Sequence, residues 1–127
     1  MELEFTPDQE DLRSSVRAVL ERECPMSLVR EVVEKGGTPD GLWARMVELD
    51  WPGLTIAEQH GGIGLGFVEL AVVLEELGRV VAPGPFTATA AMFVPAIREC
   101  GSDEQVARFL GPVAAGTGTG TLAFVGR

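Results

Sequence analysis

Imidazole and thiol side chains are scarce in this 127-residue sequence: one histidine, His60, and two cysteines, Cys24 and Cys100. Two isolated cysteines make no disulfide framework. Without a CxxC pair or a second histidine, nitrogen and sulfur ligands are too few for a structural zinc site. Positive charge is also short: 10 Lys and Arg face 19 Asp and Glu, a formal net charge of −9, and both halves of the chain are net acidic. A phosphate backbone would be repelled, which excludes DNA or RNA binding as a main role. The opening stretch Met1-Glu2-Leu3-Glu4-Phe5 is acidic and lacks an apolar core, so it does not read as a secretion signal. A reducing cytoplasm is the expected location. Long apolar runs are missing too. Residues 80–97 and 109–126 are uncharged, but the first holds Pro83, Pro85 and Pro95, and the second holds Pro112 and a series of glycines. A spanning helix needs about 20 mostly apolar residues without such breakers, so no membrane span is expected.

The composition, 46% apolar and 23% charged, is that of one ordinary globular domain. The pattern is helical. Thr6-Pro7-Asp8-Gln9 makes a capping box with proline at the first helical position. Leu12, Val16, Val19 and Leu20 then share one stripe, while Asp11, Arg13, Arg17 and Glu21 form a solvated face. Pro25 ends this helix. Ser27 starts a second helix that stops at Gly36-Gly37, and Thr38-Pro39-Asp40 caps a third that breaks at Trp51-Pro52-Gly53. Leu54-Thr55-Ile56 reads as a short extended piece before a glycine loop. The next helix, residues 67–77, is apolar nearly all round, which suits a bundle interior or an oligomer interface. A fifth helix covers residues 85–99, with Pro95 expected to kink or restart it. Ser102-Asp103-Glu104-Gln105 is a second capping box, and Gly111-Pro112 closes the sixth helix. After a Gly/Thr linker, Leu122-Ala123-Phe124-Val125 reads as a strand without a partner.

Several motifs carry a bland reading beside a chemical one. Gly61-Gly62-x-Gly64-x-Gly66 matches neither GxGxxG nor a Walker loop, so a tight turn with positive φ is preferred over a phosphate cradle. His60 has no neighbouring nucleophile in sequence and reads as a surface or capping group. Glu75 and Glu76 are adjacent on a helix, point apart, and read as a solvated face. Cys24 and Cys100 lack a nearby histidine or a run of basic residues and read as buried thiols. Residues 85–93 alternate small side chains with Phe and Met. That spacing leaves either a groove for an apolar chain or room for close helix packing, and both remain open.

The succession Phe5-Thr6-Pro7-Asp8-Gln9, Leu42-Trp43, Trp51-Pro52-Gly53-Leu54, Glu58-Gln59-His60-Gly61-Gly62-Ile63-Gly64-Leu65-Gly66, Glu75-Glu76-Leu77-Gly78-Arg79 and Ala82-Pro83-Gly84-Pro85-Phe86 resembles the N-terminal helical domain of acyl-CoA dehydrogenases. The order and spacing agree over about residues 4 to 124. The resemblance implies a flavoprotein of three parts: an α-domain, a middle β-domain and a C-terminal helical bundle. Such an enzyme removes hydrogens from the α and β carbons of an acyl-CoA, uses FAD, and passes electrons to an electron-transfer flavoprotein. The family's catalytic glutamate and most FAD contacts lie in the later domains, so the resemblance supplies no catalytic residue here. It implies that Pro85, Ala88, Thr89 and Met92 face the acyl pocket. Two departures stand out: Ala57 replaces the usual proline, and Val125-Gly126-Arg127 replaces a Thr-Glu-Pro-like turn.

The expected fold is therefore an all-α bundle of about six helices with a short extended tail. Residues 1–116 would form the α-helical domain, and 117–127 a linker and first strand of an absent middle β-domain. The expected function is one wall of the acyl-CoA pocket in an FAD-dependent dehydrogenase that is a homo- or hetero-oligomer. The 127-residue chain alone is expected neither to hold FAD tightly nor to catalyse. Two other readings are a non-catalytic assembly module derived from the family and a plain acyl or lipid carrier.

Overall fold

The computed structural model describes residues 4–124. Six α-helices follow in order: α1 (Pro7–Glu23), α2 (Met26–Lys35), α3 (Asp40–Glu48), α4 (Phe67–Arg79), α5 (Val94–Cys100) and α6 (Asp103–Ala114). Short 3-10 turns at Trp51–Gly53 and Glu58–His60 precede α4, and a π-helical segment, Thr87–Phe93, runs directly into α5. The all-α expectation holds. Among the described residues there is no strand. Residues 117–124 form neither helix nor sheet, because Leu122, Ala123 and Phe124 have no neighbouring edge to pair with. Val125, the last residue of the expected strand, lies outside the described residues.

Both capping boxes form. Thr6 Oγ1 accepts from Gln9 N at 3.3 Å while Gln9 Oε1 accepts from Thr6 N at 3.0 Å, and Ser102 and Gln105 repeat the exchange. The orphan amides that open α1 and α6 are thereby satisfied. Elsewhere the boundaries differ from expectation. Helix α2 begins at Met26, with Pro25 as its N-cap. Thr38 does not cap α3; its hydroxyl donates to Asp40 Oδ2 at 2.9 Å, and Pro39 is the N-cap. Residues 54–56 are turns rather than an extended piece, since Leu54 sits in the right-handed helical region. Helix α6 does not close at Gly111-Pro112 but continues to Ala114. Pro112 forfeits one bond near the end of the helix, and its carbonyl then accepts from Thr117 N, Gly118 N and Thr117 Oγ1.

Helices α1 and α4 pack against each other as the main pair. Val16, Leu20, Leu70, Val73 and Leu77 meet Leu42, Met46, Trp51, Leu54, Phe86 and Ala90 in the larger core. A fully buried Leu such as Leu20 contributes about 2 kcal/mol. A second cluster joins Ile56, Val94, Leu110, Val113 and Ala114, with the Phe93 and Phe109 rings edge to face at 6.0 Å. The apolar α4 needs no second chain for most of its surface: Leu70, Val72, Val73 and Leu77 are buried within this one, whereas Phe67, Val68 and Ala71 stay outside.

Helix α4 ends in an unusual cap. Ala82 N donates to Leu77 O and Val81 N to Gly78 O, the paired bonds of a Schellman motif. The left-handed position of that motif normally holds glycine, yet here it is Val81, at φ 53° and 61% exposed. A left-handed L-residue costs roughly 1–2 kcal/mol, and a β-branched one is a genuine outlier. Val81→Gly is therefore expected to raise stability by about 1 kcal/mol after the extra chain entropy of glycine is subtracted. Urea unfolding checks this; an unchanged or lower midpoint would mean that contacts of the valine outweigh its backbone strain.

Candidate functional site

Residues 86–100 make one helical run with two registers. Thr89 N donates to Pro85 O, four residues back, at 2.9 Å. Val94 N donates to Thr89 O, five residues back. Pro95 has no N–H to give, and it sits in the first turn of the restarted α5, as the sequence pattern anticipates. Of the four residues expected to face a pocket, Ala88, Thr89 and Met92 lie on this run and Pro85 immediately precedes it. Met92 is 42% exposed, Pro85 and Ala88 are half-buried, and Thr89 is sealed at 0%. The Thr89 hydroxyl donates to Gly120 O and accepts from Gly120 N, both at 3.2 Å. The four residues thus divide: Pro85, Ala88 and Met92 reach the surface, and Thr89 lies behind them against the tail. Phe86 and Ala90 anchor the opposite side in the core. A shallow depression beside the start of the run is lined by Leu74, Leu77, Val81, Ala82 and Thr87.

The glycine loop is closed upon itself. Gly61 and Gly64 have φ of 86° and 76°, the tight turns the pattern implies. Every amide from 61 to 66 is already used: Gly61 N bonds Glu58 O, Gly62 N bonds Ala57 O, Ile63 N bonds Gly53 O, Gly64 N bonds Ile56 O and Leu65 N bonds Leu54 O. Gly66 N bonds Glu69 Oε2 at 3.0 Å. A phosphate cradle needs amides free to point outward, so this loop does not fit the pyrophosphate of a flavin dinucleotide. Ala57, at φ −61° and ψ 147°, adopts the backbone a proline would impose, so the departure at this position leaves the turn intact. His60 closes the 3-10 turn, and its ring lies 3.3 Å from Gln59 Nε2. Arg98 reaches over the Phe67 ring, 5.6 Å from its centroid, and ties α5 to the start of α4.

The expected solvated pair Glu75-Glu76 requires correction. Glu75 is exposed and meets Arg13 at 3.0 Å, but Glu76 is 1% exposed. Its carboxylate accepts from Arg17 Nη2 at 2.7 Å and Arg17 Nε at 2.9 Å, and from Arg79 Nε at 2.9 Å. The bidentate Arg17 guanidinium, helped by Arg79, outweighs burial and holds the Glu76 carboxyl down at about 2. Arg17 is likewise not part of a purely solvated face. The same-face rule for a single helix does not see a partner on another one, and α1 lies against α4. Glu69 is held below the usual carboxylate range by Gln9 and by the amides at the helix start. Cys24 is buried, and burial pushes its thiol up; Cys100, expected to be buried, is exposed at the end of α5. Among the described residues no cluster of His, Cys, Asp and Glu can hold a metal ion, and no helix is long and apolar enough to cross a membrane.

Residues 6–117 match the family model described as "Acyl-CoA dehydrogenase, N-terminal domain". The chain belongs to this family. Long-chain specific acyl-CoA dehydrogenase of Sus scrofa is 31% identical over 120 residues, covering 94% of this chain and 28% of that protein. The acyl-CoA dehydrogenase structure from Geobacillus kaustophilus superimposes with a TM-score of 0.79 at 23% identity over 91% of this chain and 30% of that one, which shows the shared fold. A chain of the ChsE4-ChsE5 complex from Mycobacterium tuberculosis gives a TM-score of 0.72 at 29% identity, covering 92% of this chain and 30% of that one. The chain therefore spans less than a third of the length of these relatives.

Proposed function

We propose that this acyl-CoA dehydrogenase domain forms one wall of the acyl pocket in an FAD-dependent enzyme that oxidises an acyl-CoA between its α and β carbons. The observation that supports this is the helical run 86–100, buried along Phe86 and Ala90 and presenting Ala88 and half-exposed Met92 outward, with Pro85 just before its first turn. An apolar chain lying on these side chains gains about 0.8 kcal/mol per buried methylene. The chain's own part is binding and exclusion of water. In this reading the flavin and the catalytic base are held by the rest of the enzyme, in keeping with a glycine loop whose amides are all spent. The whole enzyme would pass its electrons to an electron-transfer flavoprotein.

In the flavoprotein that contains this domain, Met92→Glu is expected to raise the Kd for dodecanoyl-CoA by about tenfold or more, since a carboxylate against an alkyl chain must give up water. The flavin absorbance spectrum is expected to stay unchanged. Unchanged affinity in a titration would overturn the assignment of Met92 to the pocket.

A second reading, assembly with another subunit, is favoured by one patch. Ile63, Leu65, Phe67 and Val68 are 37% to 57% exposed and follow one another along the glycine loop and the start of α4. The relative from Mycobacterium tuberculosis is itself part of a two-protein complex.

A further inference from the structure

The wide register of Thr87–Phe93 has a partner far downstream. Its widening falls at Thr89, whose N–H still bonds four residues back while its carbonyl receives Val94 N from five residues on. Pro95 leaves one carbonyl of this stretch without a donor in either register, so α and π spacing differ little in backbone bonds. Something else must choose between them. Thr89 Oγ1 is the side-chain atom that both donates to and accepts from Gly120, and these bonds use the hydroxyl's proton and an oxygen lone pair. Gly120 also rests on the ring of Phe93, at the other end of the same wide turn, with no room for a Cβ. The tail is held to α6 just before this point, through Thr117 and Gly118 on the Pro112 carbonyl. Gly120 is thus delivered by a fixed anchor to a slot made by Thr89 and Phe93.

We propose that Thr89 is a positioning residue: its hydroxyl, clasped by Gly120, holds residues 87–93 in the wide register and so sets which way Ala88 and Met92 face. Loss of the clasp returns the segment to ordinary α spacing and turns Met92 relative to the core. The consequence for an acyl chain rests on the pocket reading above; the register itself does not.

The test uses the full chain without ligand, by backbone chemical shifts and amide hydrogen exchange. Thr89→Val keeps the shape and removes the hydroxyl. It is expected to speed exchange of the Gly120 amide by about tenfold or more and to move the Cα shifts of residues 90–94 toward ordinary α values. Signals of α1 and α4 are expected to stay in place. Thr89→Ser is expected to restore wild-type behaviour, and Gly120→Ala, which keeps the hydroxyl but crowds Phe93, is expected to match Thr89→Val. If Thr89→Val frees Gly120 while residues 90–94 keep wild-type shifts, or if Thr89→Ser behaves like the valine variant, the proposal is overturned. Should Thr89→Val not fold, Gly120→Ala decides by the same two readouts. No acyl-CoA enters these measurements, so their failure and that of the pocket assignment are separable.

Discussion

Glu76→Gln is expected to lower the stability of the domain by about 3 kcal/mol at pH 7 while leaving its shape unchanged. The side chain is 1% exposed and bridges Arg17 on α1 to Arg79 at the end of α4. Glutamine preserves the volume but removes the charge that both guanidinium groups are placed to meet, and it turns an amide N–H toward one of them. The sign with pH follows from the shift. The carboxyl lies at about 2 in the folded chain against an ordinary value of 4.5, so the unfolded chain binds the proton more readily. The stabilisation is fully present above the unfolded value and is lost as pH falls from about 5 toward 2. The glutamine variant is expected to lack this acid limb and to converge with the wild type near pH 2. Urea unfolding at a series of pH values measures both effects. A variant that keeps the wild-type pH dependence would assign it to another carboxylate.

Gly62→Ala is expected to cost about 3 kcal/mol and to loosen the whole 53–65 turn. The position has an ordinary φ, so no backbone preference demands glycine. What demands it is space. A Cβ there would run into the carbonyl of Ile56 and lie 2.6 Å from the oxygen of Gly53, both of which are main chain and cannot rotate away. The carbonyls of Gly53 and Ile56 accept from Ile63 and Gly64, so moving them breaks the bonds that close the loop. By contrast, alanine at Gly41 or Gly78 meets nothing within 4 Å and serves as the control. Thermal unfolding decides; a loss below that of the control variants would mean that the loop opens without strain.

Local signals predicted local structure well. The capping boxes at Thr6 and Ser102, the stop at Gly36 and the restart at Pro95 each depend on residues within a turn or two of one another, and each appears in the structure. Contacts between residues distant in sequence are what the local signals do not show. Glu76 meets Arg17 across 59 positions, and helical periodicity assigns both to polar faces without saying that those faces touch. Thr89 belongs by spacing to the row Pro85, Ala88, Met92. The wide register and Gly120, 31 positions later, take its hydroxyl away from that row. Pro112 reads as a stop because the compensating bonds to its carbonyl come from a segment beyond the helix. The glycine loop forms the turn its pattern implies, but the reason Gly62 must be glycine lies in the packing of two carbonyls that no motif encodes.

The ion cluster that joins α1 to α4 has a consequence for biosynthesis. At a synthesis rate of about 5–20 residues per second, Arg17 leaves the ribosome roughly 3–12 s before Glu76 follows it. Through that interval the nascent α1 has none of its α4 partners for Val16 and Leu20, and its charged side is what favours water over contact with neighbouring chains. The same Arg17 that later grips a buried carboxylate would first serve, in water, to hold the emerging polypeptide apart.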